Sequence, residues 1–155
     1  RLSMPYSKLD LGKQTTHEIL NKVVEMFPTK TQKIKIDNQI PNEIIIVDET
    51  KFILALRNLL DNAIKYGKKN TDVKLIVRKN RNIEFEIKDK GIGVPKESIQ
   101  ELTKPFFQAD QNVSTKGFGI GLTICKKIIE AHKGQILIES KEGTGSSFIL
   151  SLPSN

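Results

Sequence analysis

Four short stretches of this chain carry the residue types that could do chemistry, and they stand in a fixed order. The first runs Asn58-Leu59-Leu60-Asp61-Asn62-Ala63-Ile64-Lys65-Tyr66. It is followed by Asp89-Lys90-Gly91-Ile92-Gly93, by Gly117-Phe118-Gly119-Ile120-Gly121-Leu122, and by Gly143-Thr144-Gly145. The first offers neutral amide oxygens and an ammonium group. The second sets one carboxylate beside two glycines. The third opens a helix with a glycine-rich run, where free backbone amides attract phosphates. Taken singly, each has an ordinary explanation, because glycine punctuates turns everywhere and polar helix faces are usually wet. Taken in order, they suit a magnesium–nucleotide site, with a metal to hold, phosphates to neutralise and an adenine amine to recognise.

Asn58, Asn62 and Lys65 share one face of the helix that must carry them, with Asp61 beside them. Phe52, Leu56, Leu59 and Ala63 form its apolar face. Asparagine costs roughly 0.6 kcal/mol relative to alanine inside a helix, so two of them a turn apart suggest a use for their amides. Magnesium takes hard oxygen ligands and keeps several waters, so one side-chain oxygen plus phosphates would suffice. Lys65 would reach phosphate oxygens as a point charge. Asp89 is the sharper case. Ile83, Phe85 and Ile87 alternate with polar residues, and the same period of two turns Asp89 to the apolar side. A carboxylate there needs a partner. Either turn amides around Gly91 supply it, or Asp89 accepts from the exocyclic amine of adenine.

These residues need a scaffold, and the hydropathy pattern sketches one. A helix is expected over 15–27, with Ile19, Leu20, Val23, Val24 and Phe27 in a stripe closed by Pro28. Short strands follow at Ile34–Ile36 and Ile44–Val47. Asp48 reads as the N-cap of a long helix over 49–66. Strands over 73–78 and 83–88 flank a turn, and a short helix is expected over 96–103. Residues 108–117 read as a loop long enough to act as a lid, and a third long helix over 120–132. A hairpin of 135–139 and 147–152 closes the chain. The expected fold is a two-layer α/β (α+β) sandwich, a mixed and mostly antiparallel sheet covered on one face by three main helices.

The chain has 155 residues, enough for a single domain over 1–155, and a formal charge of +7 from 25 Lys+Arg against 18 Asp+Glu. The basic residues are scattered lysines without interleaved aromatics, which argues for a solubilising surface rather than nucleic-acid binding. No apolar run reaches membrane-spanning length. The one cysteine, Cys125, fits a buried filler in a reducing compartment. His132 continues the stripe of its helix and is expected to pack, while His17 is expected at the surface. The chain begins at Arg1, which suggests a piece of a longer protein.

On these motifs the chain resembles the catalytic and ATP-binding domain of bacterial sensor histidine kinases, with the Bergerat-type ATP fold. Asn58 to Tyr66 resembles the N box, and Asp89 to Gly93 the first glycine box. Pro105-Phe106-Phe107 resembles the end of the F box. Gly117 to Leu122 resembles the second glycine box, and Gly143 to Phe148 the last. The resemblance implies ATP and Mg²⁺ as cofactors. Asn62 would ligate Mg²⁺, and Asn58 would support the phosphates and metal. Lys65 would contact phosphates, Tyr66 the nucleotide's edge, and Asp89 the adenine amine. Gly91 and Gly93 would let the base approach, and Gly117, Gly119 and Gly121 would admit the phosphates. Leu122, Thr144 and Lys116 complete the implied nucleotide contacts.

The chain also departs from that pattern. Thr103 and Lys104 replace a Phe and an acidic residue, Gln108 stands where many members carry an arginine, and Lys133 replaces a glycine without expected consequence. Gyrase-type relatives carry a glutamate base where this chain has Asn58, and a neutral amide cannot take that proton. The site is therefore expected to present ATP rather than hydrolyse it, acting by positioning and charge neutralisation. No acceptor histidine of the family's type is present, since His17-Glu18-Ile19-Leu20 lacks its proline and lies close to the N box. The implied partners are a phosphoacceptor and dimerisation hairpin upstream, joined through residues 1–8, and a response regulator. The resemblance further implies a cytoplasmic domain, monomeric alone, of a homodimer anchored in the inner membrane. The rivals are another branch of the same fold, such as an ATPase or serine kinase, a degenerate nucleotide-binding module, or a lysine-rich nucleic-acid binder.

Overall fold

A computed structural model describes residues 8–27, 34–66, 71–91, 116–141 and 144–154, with side chains except at 65, 66, 116–121 and 141. Its elements run β1 (Gly12–Thr15), α1 (Thr16–Val24), β2 (Ile34–Asn38), β3 (Ile44–Val47), α2 (Glu49–Tyr66), β4 (Val73–Lys79), β5 (Asn82–Asp89), α3 (Lys116–Ala131), β6 (Gln135–Lys141) and β7 (Gly145–Pro153). Five strands form one sheet in the order β2-β4-β5-β7-β6. The β2–β4 pair is parallel and the other three are antiparallel. This is the mixed, mostly antiparallel sheet that the strand pattern implied.

Period-two alternation separates the faces of the sheet. Val73, Leu75 and Val77 of β4, and Ile83, Phe85 and Ile87 of β5, are buried against the helices. Phe52, Leu56, Leu59, Leu60 and Ala63 of α2 meet them, with Leu122, Cys125, Ile128 and Ile129 of α3. Phe52 and Phe85 pack edge to face, with centroids 5.1 Å apart. Cys125 is the filler its surroundings suggested: its Sγ donates to the Ala55 carbonyl at 3.0 Å, and burial pushes the thiol far up.

β1 was not visible in the sequence. Gly-Lys-Gln-Thr has no apolar alternation, and its extended form comes from antiparallel pairing with β3. α1 is shorter than its apolar stripe and ends at Val24. Its start is fixed by a capping box: the Thr15 Oγ1 accepts from the Glu18 N–H, and the Glu18 Oε1 accepts from the Thr15 N–H. α3 starts at Lys116, four residues ahead of the expected start, so Gly117, Gly119 and Gly121 lie inside its first turns rather than before it. Its end is a Schellman motif: the Gly134 N–H bonds the Ile129 carbonyl, and the Lys133 N–H bonds that of Glu130. Lys133 takes the left-handed position, at φ 64°. The expectation that replacing glycine here is without consequence is therefore overturned, because a side chain at that φ is strained. No helix among the described residues is long and apolar enough to cross a membrane.

Candidate functional site

The period of two along β5 carries Asp89 to the helix side of the sheet, where it is only 9% exposed. Register places it opposite Ser146 of β7. The Gly91 N–H donates to its Oδ1 at 2.8 Å, and the Ser146 hydroxyl donates to its Oδ2 at 3.1 Å. Burial pushes the carboxyl above its ordinary range, and the donors at Gly91 and Ser146 offset part of that rise. The local bond to the turn at Gly91 is thus present. It uses part of the carboxylate's acceptor capacity, since two oxygens offer about four lone-pair sites.

Gly145 holds the other side of this turn. Its φ is +142°, and a Cβ there would overlap the Asp89 carbonyl oxygen. Only glycine admits that close approach of two backbones. Thr144 is exposed in the preceding turn. Asp89, Thr144 and Gly145 all border a cavity of about 860 Å³. Asn58 and Asn62 are not among its described lining residues.

The amides sit on α2. Asp48 begins that helix as the sequence implied: its Oδ1 accepts from the Lys51 N–H at 3.1 Å. Its Oδ2 accepts from the Asp10 N–H at 2.9 Å. Burial raises the Asp48 carboxyl, but the two backbone donors and Lys51 outweigh it and hold the group below its ordinary range. Further along, Asn58 is half-buried and Asp61 is exposed. Asn62 is only 7% exposed, and its Nδ2 is buried without a hydrogen-bond partner among the described residues. The face carrying the asparagines is therefore not simply wet. Lys65 and Tyr66 occupy the last turn of α2.

α2 packs along α3. Lys116, Gly117, Gly119 and Gly121 fall in the first turns of α3, and Leu122 is 2% exposed in the core. Gly93, Gly143, the residues likened to the F box, the 96–103 helix and residues 108–115 of the lid lie outside the described residues. The carboxylate half of the candidate site is thus assembled from β5 and β7, and the amide half from α2, with no described hydrogen bond between them.

Two residues of the site region escaped sequence reasoning. Ser146 looks like an ordinary turn serine, and only strand register shows that it faces Asp89. His132 was expected to pack, and it does, but it also bonds at both ring nitrogens. Its Nδ1–H donates to the Ile128 carbonyl at 2.8 Å, and its Nε2 accepts the Asp48 N–H at 2.9 Å. It thereby ties the end of α3 to the start of α2.

Residues 47–155 match the family described as histidine kinase-, DNA gyrase B- and HSP90-like ATPase. The chain belongs to this ATPase family. Its relatives include a sensory kinase and a sensor protein. It is 32% identical over 140 residues to the adaptive-response sensory kinase SasA of Nostoc sp., which covers 88% of this chain and 34% of that protein. It is 34% identical over 154 residues to the sensor protein RprX of Bacteroides fragilis, covering 94% of this chain and 30% of that protein. The chain thus spans about a third of the length of these relatives. Among solved structures, the catalytic domain of histidine kinase ThkA superposes with a TM-score of 0.79 at 26% identity, covering 94% of this chain and 96% of that one. The Acinetobacter baumannii histidine kinase AdeS shares the fold, with a TM-score of 0.74 at 24% identity. This member of the ATPase family is an ATP-binding domain of the histidine kinase type, an α/β sandwich built like the ThkA catalytic domain.

Proposed function

We propose that this domain binds Mg²⁺-ATP and donates the γ-phosphoryl group to a histidine on a separate helical hairpin of the same kinase, for relay to a response regulator. The observation that carries the reading is the buried Asn62 amide, with no partner for its Nδ2 among the described residues. Leaving such a group unpaired costs on the order of 1–3 kcal/mol, and a bound nucleotide–metal complex would satisfy it. The Nδ2 hydrogens suit a phosphate oxygen, and the oxygen of the same amide suits a metal. Among the described residues no three His, Cys, Asp or Glu side chains gather as a metal cluster. A metal here would be held by the Asn62 amide oxygen, by water and by the nucleotide, as Mg²⁺ commonly is. When bound, Mg²⁺ supplies charge neutralisation at the phosphates.

The protein's own residues then have separable tasks. Asp89 accepts from the adenine amine, with Gly91 and Gly93 admitting the base and Thr144 at its rim. Asn58, Lys65 and Lys116 orient phosphate oxygens, Tyr66 lies along the nucleotide, and Gly117, Gly119, Gly121 and Leu122 shape the start of α3 around it. Asn58 is a neutral amide, which favours presenting ATP over activating water. The domain would work in the cytoplasm, as a monomer alone and within a dimer in the whole kinase.

Calorimetric titration of Mg²⁺-ATP into the wild type, Asp89→Asn and Asn62→Ala tests this. Saturable binding to the wild type, weakened at least tenfold in both variants, is expected. A separately added acceptor hairpin should then gain phosphate on histidine. A folded wild-type domain that binds no nucleotide with excess Mg²⁺ would sink the reading.

A further inference from the structure

The face of the sheet away from the helices carries a charge arrangement that the fold leaves unsettled. Lys35 of β2 is in register with Lys74 of β4, and Lys74 with Lys88 of β5. Neighbouring strands lie about 4.8 Å apart, so three lysine stems leave the same face side by side. Like charges placed directly opposite each other weaken a strand pair.

The same two strands show the alternative a few residues away. Arg78 faces Glu84 and forms ion pairs with Glu84 at 2.8 Å and Glu86 at 2.7 Å. In the lysine row only Lys35 has a described ion pair, with Asp72 at 3.2 Å. Lys88 feels the charge of Glu86, but neither it nor Lys74 has a described ion-pair partner.

The row borders the cavity of about 860 Å³, together with Lys90 and the Thr144 turn. Asp72 and Glu139 are the carboxylates on its open-face rim, so four lysines stand against two of them. Asp89 also touches this cavity, yet it follows Lys88 directly on β5, and the two side chains project to opposite faces of the sheet.

We propose that the Lys35–Lys74–Lys88 row is a binding site for a phosphate-bearing polyanion, in the cavity that Asp89 also borders but on the opposite face of the sheet from the Asp89 side chain. Lysine binds phosphate as a point charge, and the strand spacing suits two anionic groups about 5 Å apart. The ligand relieves the repulsion between Lys74 and Lys88 that the strands impose.

Pyrophosphate titrated into the 155-residue chain at constant ionic strength, without nucleotide or divalent metal, tests the site. Backbone amide NMR shifts on β4 and β5 are the readout. Saturable shifts around Lys74 and Lys88 are expected. In the double variant Lys74→Gln with Lys88→Gln, the affinity read at those strands should fall at least tenfold. In a control double variant, Lys127→Gln with Lys133→Gln, which lowers net charge equally, it should stay within twofold. The proposal is overturned if the β4 and β5 shifts do not saturate. It is equally overturned if both double variants lose affinity alike, which is diffuse attraction to a basic protein, or if the shifts appear only along α2 and the start of α3. Amide spectra also report whether each variant is folded, so a loss of affinity cannot be confused with unfolding.

Discussion

The Ser146 hydroxyl on β7 donates to the Oδ2 of Asp89 on β5 across 3.1 Å, while the Gly91 N–H takes the Oδ1. Each carboxylate oxygen thus has its own donor, and the pair of strands holds the plane of the group. A base amine approaching Asp89 would meet an acceptor already oriented.

Removing that hydroxyl should be felt twice. In Ser146→Ala the Asp89 carboxyl loses a bond that favours its charged form, so its pKa should rise further, which carboxyl NMR titration reads directly. Nucleotide affinity at neutral pH should weaken by about 1 kcal/mol, roughly fivefold. An unchanged Asp89 titration would show the bond to be idle.

Asp89 also sets a pH dependence. Its folded value lies above the ordinary 3.8, so the folded state holds this proton more tightly than the unfolded chain. Its contribution to stability is therefore fullest below the unfolded value and declines as pH rises through the folded one. Nucleotide binding runs the other way, because the amine needs the carboxylate. Calorimetry across pH 4–7 should find affinity falling on acidification at a higher pH than an exposed aspartate would dictate. Asp89→Asn should flatten that slope.

Asp48 has the opposite sign. Its folded value lies below 3.8, so its contribution is present above the unfolded value and lost as pH falls through the folded one. Asp48→Ala forfeits the helix cap and the bond to the Asp10 N–H, and should cost about 2 kcal/mol in urea unfolding at pH 7. The difference from wild type should shrink toward acid. A constant difference across pH would contradict the linkage.

Lys133 sits at φ 64° in the glycine position of the α3 terminus. Lys133→Gly should stabilise the domain by about 1 kcal/mol, raising the denaturation midpoint without altering the slope. Gly145→Ala should do the reverse, losing about 2–4 kcal/mol, because its Cβ would run into the backbone at the Asp89 carbonyl and the Lys90 Cα rather than into a side chain that can swing away. Equal stability of Gly145→Ala and wild type would mean that the β5 and β7 backbones part easily there.

Much of this was legible in the sequence, wherever a period carried it. The apolar stripe of α2, the alternation of β4 and β5, the N-cap at Asp48 and the inward turn of Asp89 all follow from residue spacing. What stayed hidden depends on partners distant along the chain. β1 is a strand because β3 pairs with it, and Ser146 meets Asp89 through register. The burial of Asn62 reflects the packing of α2, not its pattern of amides. The glycines at the start of α3 read as loop because glycine is a weak helix former, yet the helical backbone runs through them. His132 was placed correctly by its stripe, but its two hydrogen bonds belong to a junction no periodicity reports.

That junction has a mechanical side. Asp48 receives the backbone of Asp10 and caps α2, while its own N–H is held by His132 at the end of α3. Lys51 adds a strut from its Nζ to the Lys8 carbonyl. From this fulcrum α2 extends about 21 Å to Asn62. By that lever arm, a tilt of about 3° at Asp48 sweeps the Asn62 end through about 1 Å. A small displacement at the contact between Asp10 and Asp48 would thus become a larger one at the Asn62 end of the rod.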